Sequence, residues 1–321
     1  MAYGSTLRAI LGAGGGYRAL FASTAYSGTG AAQDIATGQN LAGGGLVWLK
    51  RTDSSGGWGD FDTGRGVQKL LQIHNTNGEA TDANSLTAFN ANGFTVGTSF
   101  SGSIPGQAYT AFTWLEQAGY LDIVAYSGNG SSRTISHNLG VAPKMIIVKR
   151  RTTGNWFVYH EHLTSAGYTI ELQGTGAQFA SNSVWNSTDP TSSVFSVGTS
   201  DDVNNASGTY VAYLFAEKAG FSKMGSYTGN GTVDGDTQAI TGAGFRPNAA
   251  LIKSTTATQD WIFAYNDNGT LRFVVPNTTA AAALASARVS SFDADGLTVR
   301  YQAGAPDTNT NGETYIYTAW K

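Results

Sequence analysis

The chain has 321 residues, a formal net charge of -3, 42 glycines against 6 prolines and no cysteine. Its length suits one large domain or two to three smaller ones, and its 41% hydrophobic content excludes disorder. The near-neutral charge argues against direct nucleic-acid binding, and the missing cysteines exclude disulfides and thiolate metal sites. No apolar stretch reaches the roughly 18 to 20 residues of a membrane-spanning helix, so we expect no membrane insertion.

A nearly identical pentapeptide occurs three times along the chain. The copies are Tyr26-Ser27-Gly28-Thr29-Gly30, Tyr126-Ser127-Gly128-Asn129-Gly130 and Tyr227-Thr228-Gly229-Asn230-Gly231. Their first tyrosines are 100 and 101 residues apart. This fixed period indicates an internal repeat of about 100 residues.

Further landmarks recur in the same order after each pentapeptide. An apolar run closed by a lysine is followed by a tryptophan 8, 7 or 8 residues later, and an aromatic segment closes each copy. The lysines are Lys50, Lys149 and Lys253, the tryptophans are Trp58, Trp156 and Trp261, and the closing segments are residues 109–114, 210–215 and 315–320. These landmarks predict three modules, at residues 26–120, 121–221 and 222–321. Residues 1–25 are then an N-terminal arm that docks onto a neighbour or completes the first module.

Within each module the pattern predicts at least five or six short strands. Residues 145–148 are apolar on both faces, which indicates a central strand covered on both sides. A turn at Gly154-Asn155 predicts a hairpin, and residues 280–288 are a candidate short helix. We therefore predict an all-β protein of three tandem antiparallel β-sandwich modules with little helix.

His160 and His162 form the cluster that most resembles a catalytic or metal site. Alternate residues of a strand share a face, so the two imidazoles could bind one metal ion. No third ligand lies nearby, and the third copy has Ala264 and Asn266 in the corresponding segment. An exposed strand end is therefore the favoured interpretation, and we predict neither a metal ion nor another cofactor.

Acidic residues suggest two further kinds of site. Asp293-Ala294-Asp295-Gly296 resembles the start of a calcium loop, but the first copy has Asn90-Ala91-Asn92-Gly93 there, which favours a turn in both copies. The pairs Asp60 and Asp62 and Asp201 and Asp202 are of the kind that a glycosidase uses, although solvated loops are the simpler interpretation. No motif indicates a hydrolase triad or a phosphate loop, so we predict no catalytic residue.

Aromatic residues divide into shared and copy-specific ones. The tryptophan found once per module, represented by Trp58, is predicted to lie in the core, because a residue required by the fold persists in all copies. Trp185, His160 and Tyr168 lie in the variable middle of the second copy. These three are the candidates for exposed ligand contacts, with a surface glycan as the ligand.

The second copy carries a family resemblance. The segments 126–130, 135–140 and 143–150, then Trp156 and residues 210–215, resemble a module of tail-fibre-like and minor structural proteins of marine bacteriophages and prophages. The resemblance extends over residues 26–321 and is looser in the first copy, where residues 43–45 are glycines at the position of Pro143.

The resemblance implies a location in the virion and brings no catalytic residues. It favours a tail fibre or receptor-binding protein that adheres to host surface glycans, contacts other virion proteins and forms a homotrimer. A capsid decoration or head-fibre protein is the alternative. An enzymatic alternative is a polysaccharide depolymerase.

Overall fold

The computed structural model describes residues 19–99, 102–303 and 307–321. Most of the predicted N-terminal arm, residues 1–18, lies outside the described residues. Residues 21–25 belong to strand β1 of the first repeat. Of the two expectations for the arm, these residues fit the second, completion of the first module, because β1 pairs along its whole length with the closing strand of that repeat.

The first repeat contains nine strands and one 3-10 turn, Leu41–Gly43. The strands are β1 (Phe21–Ser27), β2 (Gln33–Ala36), β3 (Gly45–Arg51), β4 (Trp58–Asp62), β5 (Lys69–Leu70), β6 (Ala80–Thr81), β7 (Leu86–Asn90), β8 (Gly93–Val96) and β9 (Ala108–Leu115).

The second repeat contains eight strands and two single-turn helices. They are β10 (Leu121–Ser127), β11 (Arg133–Ser136), β12 (Met145–Arg150), β13 (Trp156–His160), β14 (Tyr168–Glu171), β15 (Phe179–Ala180), α1 (Asn182–Trp185), β16 (Val194–Val197), α2 (Asp201–Asn204) and β17 (Thr209–Phe215).

The third repeat contains nine strands and a 3-10 turn at Ala285–Ala287. The strands are β18 (Ser222–Thr228), β19 (Thr237–Thr241), β20 (Ala249–Ser254), β21 (Ile262–Asp267), β22 (Thr270–Val274), β23 (Ala283–Leu284), β24 (Val289–Asp293), β25 (Gly296–Arg300) and β26 (Thr314–Trp320). The short helix expected over residues 280–288 is therefore wrong. A two-residue strand that pairs with β22 and a 3-10 turn take its place.

Each repeat builds one large antiparallel sheet in the same order. The closing strand lies second, between the opening strand and the lysine-ended strand, and the tryptophan strand follows. The sheets are β1-β9-β3-β4, β10-β17-β12-β13-β14-β15 and β18-β26-β20-β21-β22-β23. Smaller sheets, β2-β8-β7, β11-β16 and β19-β25-β24, cover their outer faces. The predicted all-β class is confirmed, and so are the hairpin at Gly154-Asn155 and the central strand, which is β12.

The large sheets bury both faces because the three repeats pack around one common core. Their inner faces form a single apolar cluster with members from all three repeats. At its centre the last aromatic residues of the closing strands meet: the ring centroids of Trp114 and Trp320 are 5.4 Å apart, and Phe215 lies 6.2 and 5.6 Å from them. The three tandem modules are thus related by a pseudo-threefold axis.

Because equivalent strands run in the same direction, the molecule has two different ends. One end carries the connections between repeats, residues 116–120 and 217–221, and we call it the linker end. Ala19 and Lys321 line a pocket together with Phe221 there. The opposite, hairpin end carries the turns that follow the three lysines, at residues 52–57, 151–155 and 255–261. No helix among the described residues is long and apolar enough to span a membrane.

The predicted Asx-x-Asx-Gly turns join β7 to β8 and β24 to β25, which confirms the turn interpretation. The glycine that ends each turn has a positive φ, 134° at Gly93 and 147° at Gly296. A Cβ atom on Gly93 would lie 1.9 Å from the carbonyl oxygen of Ile35 on β2. Only glycine lets the small sheet close at this position.

Replacing Gly93 with alanine tests this constraint. We expect a loss from the positive φ, roughly 1–2 kcal/mol, and a further loss of about 1–3 kcal/mol because β2 and β8 must separate. Gly38 is the matched control, since its φ is 79° and no atom lies within 4 Å of the position that a Cβ atom would take there. Denaturant unfolding should show a clearly larger loss for Gly93→Ala than for Gly38→Ala; equal losses would contradict the close approach.

Candidate functional site

The lysine that recurs in every repeat joins that repeat to its neighbour. The ammonium of Lys149 donates to the carbonyl oxygens of Thr76, Thr152 and Gly154 at 3.3, 3.1 and 2.9 Å. Lys50 and Lys253 make the equivalent contacts to Thr279 O and Thr175 O of the preceding repeat in the ring, at 3.1 and 3.0 Å. Burial is the main cause that lowers the pKa of each of the three lysines to about 8.

The recurring tryptophans make parallel contacts. The indole N–H of Trp156 donates to Gln72 O and Asn75 O at 3.2 and 3.1 Å. Trp58 donates to Thr278 O at 3.0 Å, and Trp261 donates to Glu171 O at 2.8 Å. The first repeat therefore bonds to the third, the third to the second and the second to the first. This closes a ring with three seams, which we name 1/2, 2/3 and 3/1 after the repeats that they join.

Seam 1/2 contains a buried charged cluster. Asp60 and Asp62 lie on one face of β4, with no solvent exposure, beside Arg65. Arg65 Nη2 donates to Asp60 Oδ2 at 2.7 Å, and Arg65 Nε donates to Asp62 Oδ2 at 2.5 Å. The hydroxyl oxygen of Tyr213, from the second repeat, lies 2.7 and 2.8 Å from the same two carboxyl oxygens. Trp48 Nε1 donates to Asp60 Oδ1 at 2.7 Å.

The interpretation of Asp60 and Asp62 as residues of a solvated loop was wrong. Their side chains face a neighbouring repeat, and Arg65 and Tyr213 supply hydrogen-bonding partners that compensate for burial. Burial, with the nearby charge of Asp62 as a lesser cause, raises the pKa of Asp60 to about 7 against the opposing effect of Arg65. A carboxyl pair without solvent exposure cannot contact a polysaccharide in this state.

The other two seams differ chemically from seam 1/2. In seam 2/3, His160 Nδ1 accepts a hydrogen bond from His162 N, so Nε2 carries the proton and donates to Tyr317 O at 3.2 Å. Burial lowers the pKa of His160 to about 3, so this ring is neutral. In seam 3/1 the contacts are aromatic: Phe112 lies edge-on to Phe263 and Tyr265, at centroid distances of 4.7 and 4.8 Å.

The expected exposed contacts of the second repeat prove to be buried. Trp185 is 1% exposed and packs in the outer core of its own repeat against Tyr159, and His160 is 2% exposed. Tyr168, on β14, is half-buried and packs against the common core. Placing Trp185 and His160 on the surface, and His160 at an exposed strand end, was therefore wrong. His160 lies in a seam and Trp185 in the outer core of its own repeat, so variation between copies did not mark a free surface.

The remaining candidates stay apart from one another. His162 has a side chain 40% exposed beside Glu161, and the described residues contain no group of three or more His, Asp or Glu placed to hold a metal ion. Asp201 and Asp202 begin the single-turn helix α2, where Asp201 Oδ1 accepts from Asn205 Nδ2 at 2.8 Å. Asp295 accepts from the backbone N–H groups of Gly242 and Gly244, as a turn residue does.

An open cleft lies at seam 3/1, between the first and third repeats. Its volume is about 360 Å³, and hydroxyl, aromatic and charged side chains line it, among them Tyr26, Ser27, Asp53, Asp267 and Arg272. Tyr26 stacks on Tyr109 with their ring centroids 5.3 Å apart. Arg272 pairs with Asp267 at 2.9 Å and is 37% exposed. Sequence reasoning missed this cleft because its walls come from two repeats that are more than 200 residues apart.

Sequence reasoning also missed Arg65 and Tyr213. One signal was present: the two tryptophan-strand positions held by Asp60 and Asp62 carry Val158 and His160 in the second repeat and Phe263 and Tyr265 in the third. Charged residues at positions that are otherwise mostly apolar indicate a specific buried partner.

Fold and seams together define a single-chain pseudo-trimer of β-sandwich repeats. A family described as Domain of unknown function (DUF7483) matches residues 18–321, which include all three repeats. The chain belongs to this family. No curated protein matches the sequence.

Substituting Trp156 with phenylalanine tests the seam contacts. The change leaves Gln72 O and Asn75 O without their indole donor, so we expect a loss of about 1–3 kcal/mol in addition to the cost of the smaller ring. Trp185→Phe is the control, because this equally buried indole has no hydrogen-bond partner among the described residues. Urea unfolding should show the larger loss for Trp156→Phe. A loss no greater than that of Trp185→Phe would mean that the seam bonds contribute nothing.

Proposed function

We propose that the chain is a structural and adhesive protein of a bacteriophage virion, of the tail fibre or receptor-binding type, that contacts host surface glycans. The observation that carries this proposal is the polarity of the ring. The connections between repeats lie at the linker end, whereas the three lysine hairpins lie at the hairpin end, and a polar cleft opens between the first and third repeats. This arrangement suits a knob that is attached at one end and makes contacts with the other.

The chemistry of the cleft at seam 3/1 supports a glycan as the ligand. Sugar rings pack on tyrosine faces, and their hydroxyl groups accept from guanidinium groups and donate to carboxylates. Tyr26, Arg272 and the two aspartates Asp53 and Asp267 offer these groups within one cleft. A rigid ring also limits the entropy lost on binding, since its walls are already held in place.

A non-enzymatic role is supported by the use of the buried polar groups. Asp60, Asp62, His160 and the three recurring lysines all bond to protein atoms across or beside the seams. They contribute to the architecture of the ring. The depolymerase alternative remains a prediction that no observation favours.

Assembly in the particle follows two possible patterns. A homotrimer stays a prediction, but the three repeats already bury against one another the sheet faces that three separate subunits would bury. One chain therefore also suits a site of threefold or pseudo-threefold symmetry, as the capsid decoration alternative requires.

The virion assignment predicts that the chain is a component of purified particles. Antibody labelling of particles by electron microscopy should place it at the tail for the preferred role and over the head for the alternative. Its absence from particles that are otherwise complete would contradict both.

The adhesive role predicts that blocking the cleft reduces binding to host cells. Ser27 is exposed and lines the cleft, so Ser27→Trp should weaken binding at least about tenfold, or ~1.4 kcal/mol. Ala118→Trp is the control, because Ala118 is exposed at the linker end. Cell-binding isotherms of the fluorescent protein compare the two variants. Equal affinities, or release of new reducing ends from host polysaccharide, would contradict the proposal.

A further inference from the structure

Seam 1/2 contains more carboxyl groups than its cations can neutralise. Asp60 and Asp62 face a single guanidinium, that of Arg65, inside the seam. The nearby Glu79 lies 3.4 Å from Arg65, but Arg151 of the second repeat binds both of its oxygens, at 2.9 and 2.7 Å. With Glu79 and Arg151 paired, the inner cluster has two acids and one cation.

Hydrogen-bond geometry favours an additional proton in this cluster. Tyr213 Oη lies 2.7 Å from Asp60 Oδ2 and 2.8 Å from Asp62 Oδ2. A tyrosine hydroxyl has one proton, so it donates to only one of these oxygens. The other contact becomes a hydrogen bond only if that carboxyl is protonated and donates to Tyr213. One proton shared by Asp60 and Asp62 makes the cluster neutral and satisfies every contact.

A further buried acid, Glu116, lies in the linker between the same two repeats, close to Asp122 on β10. Glu116 Oε1 accepts from Ile123 N at 3.3 Å. Burial raises the pKa of Glu116 to about 7, and the carboxyl group of Asp122 contributes through a hydrogen bond and its charge. The negative charge of Asp62 acts on Glu116 in the same direction. Glu116 is therefore a neighbour of the Asp60–Asp62 cluster, and burial favours the protonated form of Glu116 as it does that of Asp60.

The linker between the second and third repeats has a cation where the first linker has a second acid. Glu217 accepts from Met224 N at 3.0 Å, as Glu116 does from Ile123 N. At the position of Asp122, however, this repeat has Lys223, whose ammonium lies 2.8 Å from Glu217 Oε1. Seam 2/3 also contains the neutral His160 in place of Asp62.

We propose that seam 1/2 is a proton-dependent joint: it closes with one proton in the Asp60–Asp62 cluster and one on Glu116, and it loosens when these protons leave. Loss of both protons leaves Asp60 and Asp62 charged beside a single guanidinium in the buried seam and adds a negative charge on the half-buried Glu116 next to it. Seams 2/3 and 3/1 have no such pairs among their described contacts. The ring should therefore open at this one seam as the pH rises.

The sign of the effect follows from the direction of the pKa shifts. The folded-state pKa values of Asp60 and Glu116, about 7, lie above their ordinary values of 3.8 and 4.5. The stability that they contribute is complete below about pH 4 and is lost as the pH rises through 7. His160 gives the opposite slope, because it is neutral when folded. The three seam lysines change the pH dependence of stability from about pH 8 upward, where their lowered pKa values lie.

The test compares the pH dependence of unfolding between pH 5.5 and 6.5 in the full chain. Asp60→Asn and Glu116→Gln mimic the protonated acids. Each substitution should remove about one proton released on unfolding. The rise of the unfolding constant with pH should therefore become smaller by a factor of about ten per pH unit. The double variant should differ from the wild type by about 100-fold per pH unit. Contributions from His160 and other groups are common to all variants.

Glu217→Gln is the matched control, because Glu217 occupies the equivalent linker position and pairs with Lys223. It should leave the slope unchanged. Slopes of Glu116→Gln and Asp60→Asn equal to that of the wild type would overturn the proposal. If Asp60→Asn does not fold, Glu116→Gln alone decides, since Glu116 is only half-buried.

Hydrogen exchange at pH 6 and 8, corrected for the intrinsic rate, locates the joint. Strands β4 and β17, which form seam 1/2, should lose protection at the higher pH, whereas β13 and β26 of seam 2/3 should not. The Asp60→Asn, Glu116→Gln double variant should retain protection in β4 and β17 at pH 8. Equal loss of protection at both seams would overturn the assignment to seam 1/2.

Discussion

The structure depends on the hydrogen bonds that each repeat donates to its neighbour in the ring. A lysine and a tryptophan at fixed positions in every repeat donate to carbonyl oxygens of the neighbour, three times around the ring. Apart from that of Glu171, which ends β14, these carbonyls belong to irregular segments, and they lose access to water when the seams close. The donors therefore make it possible to bury the inner faces of three sheets against a common aromatic core.

Pseudo-symmetry explains which predictions from the sequence were right. Comparing copies identifies residues that every repeat needs, and this placed Trp58, Trp156 and Trp261 in the core correctly. It also correctly favoured a turn over a calcium loop at residues 293–296. Glycine is required at position 296 because the carbonyl oxygen of Ile240 lies too close for a Cβ atom. Such features are local or repeated, so one sequence contains the information that they require.

The same comparison misassigned the residues that differ between copies. Trp185 and His160 were expected at the surface because they vary, yet both are buried. The three seams, and the three outer cores, of one chain need not be identical, and positions in them can therefore differ without being exposed. The contact of Tyr213 with Asp60 joins residues about 150 apart, and no pattern in the sequence indicates that pairing. Exposure of a variable residue in a repeat protein cannot be inferred from variation alone.

Chemical differences between seams also give the ring a unique order. A charged cluster, a neutral imidazole and an aromatic contact are not interchangeable, so each repeat fits one neighbour on each side. Mismatched contacts would leave Asp60 or Arg65 buried without a partner, which costs several kcal/mol. This disfavours exchange of repeats between chains, a common failure of tandem repeats.

The central claim is that the three repeats form one closed cooperative unit, and calorimetry near pH 6 tests it most directly. A closed ring predicts a single transition in which the van't Hoff and calorimetric enthalpies agree, both on the order of 200 kcal/mol for about 300 residues near 60 °C. Independent modules would instead give two or three transitions, or a van't Hoff enthalpy of about 70 kcal/mol, near one third of the calorimetric value. That result would contradict the ring.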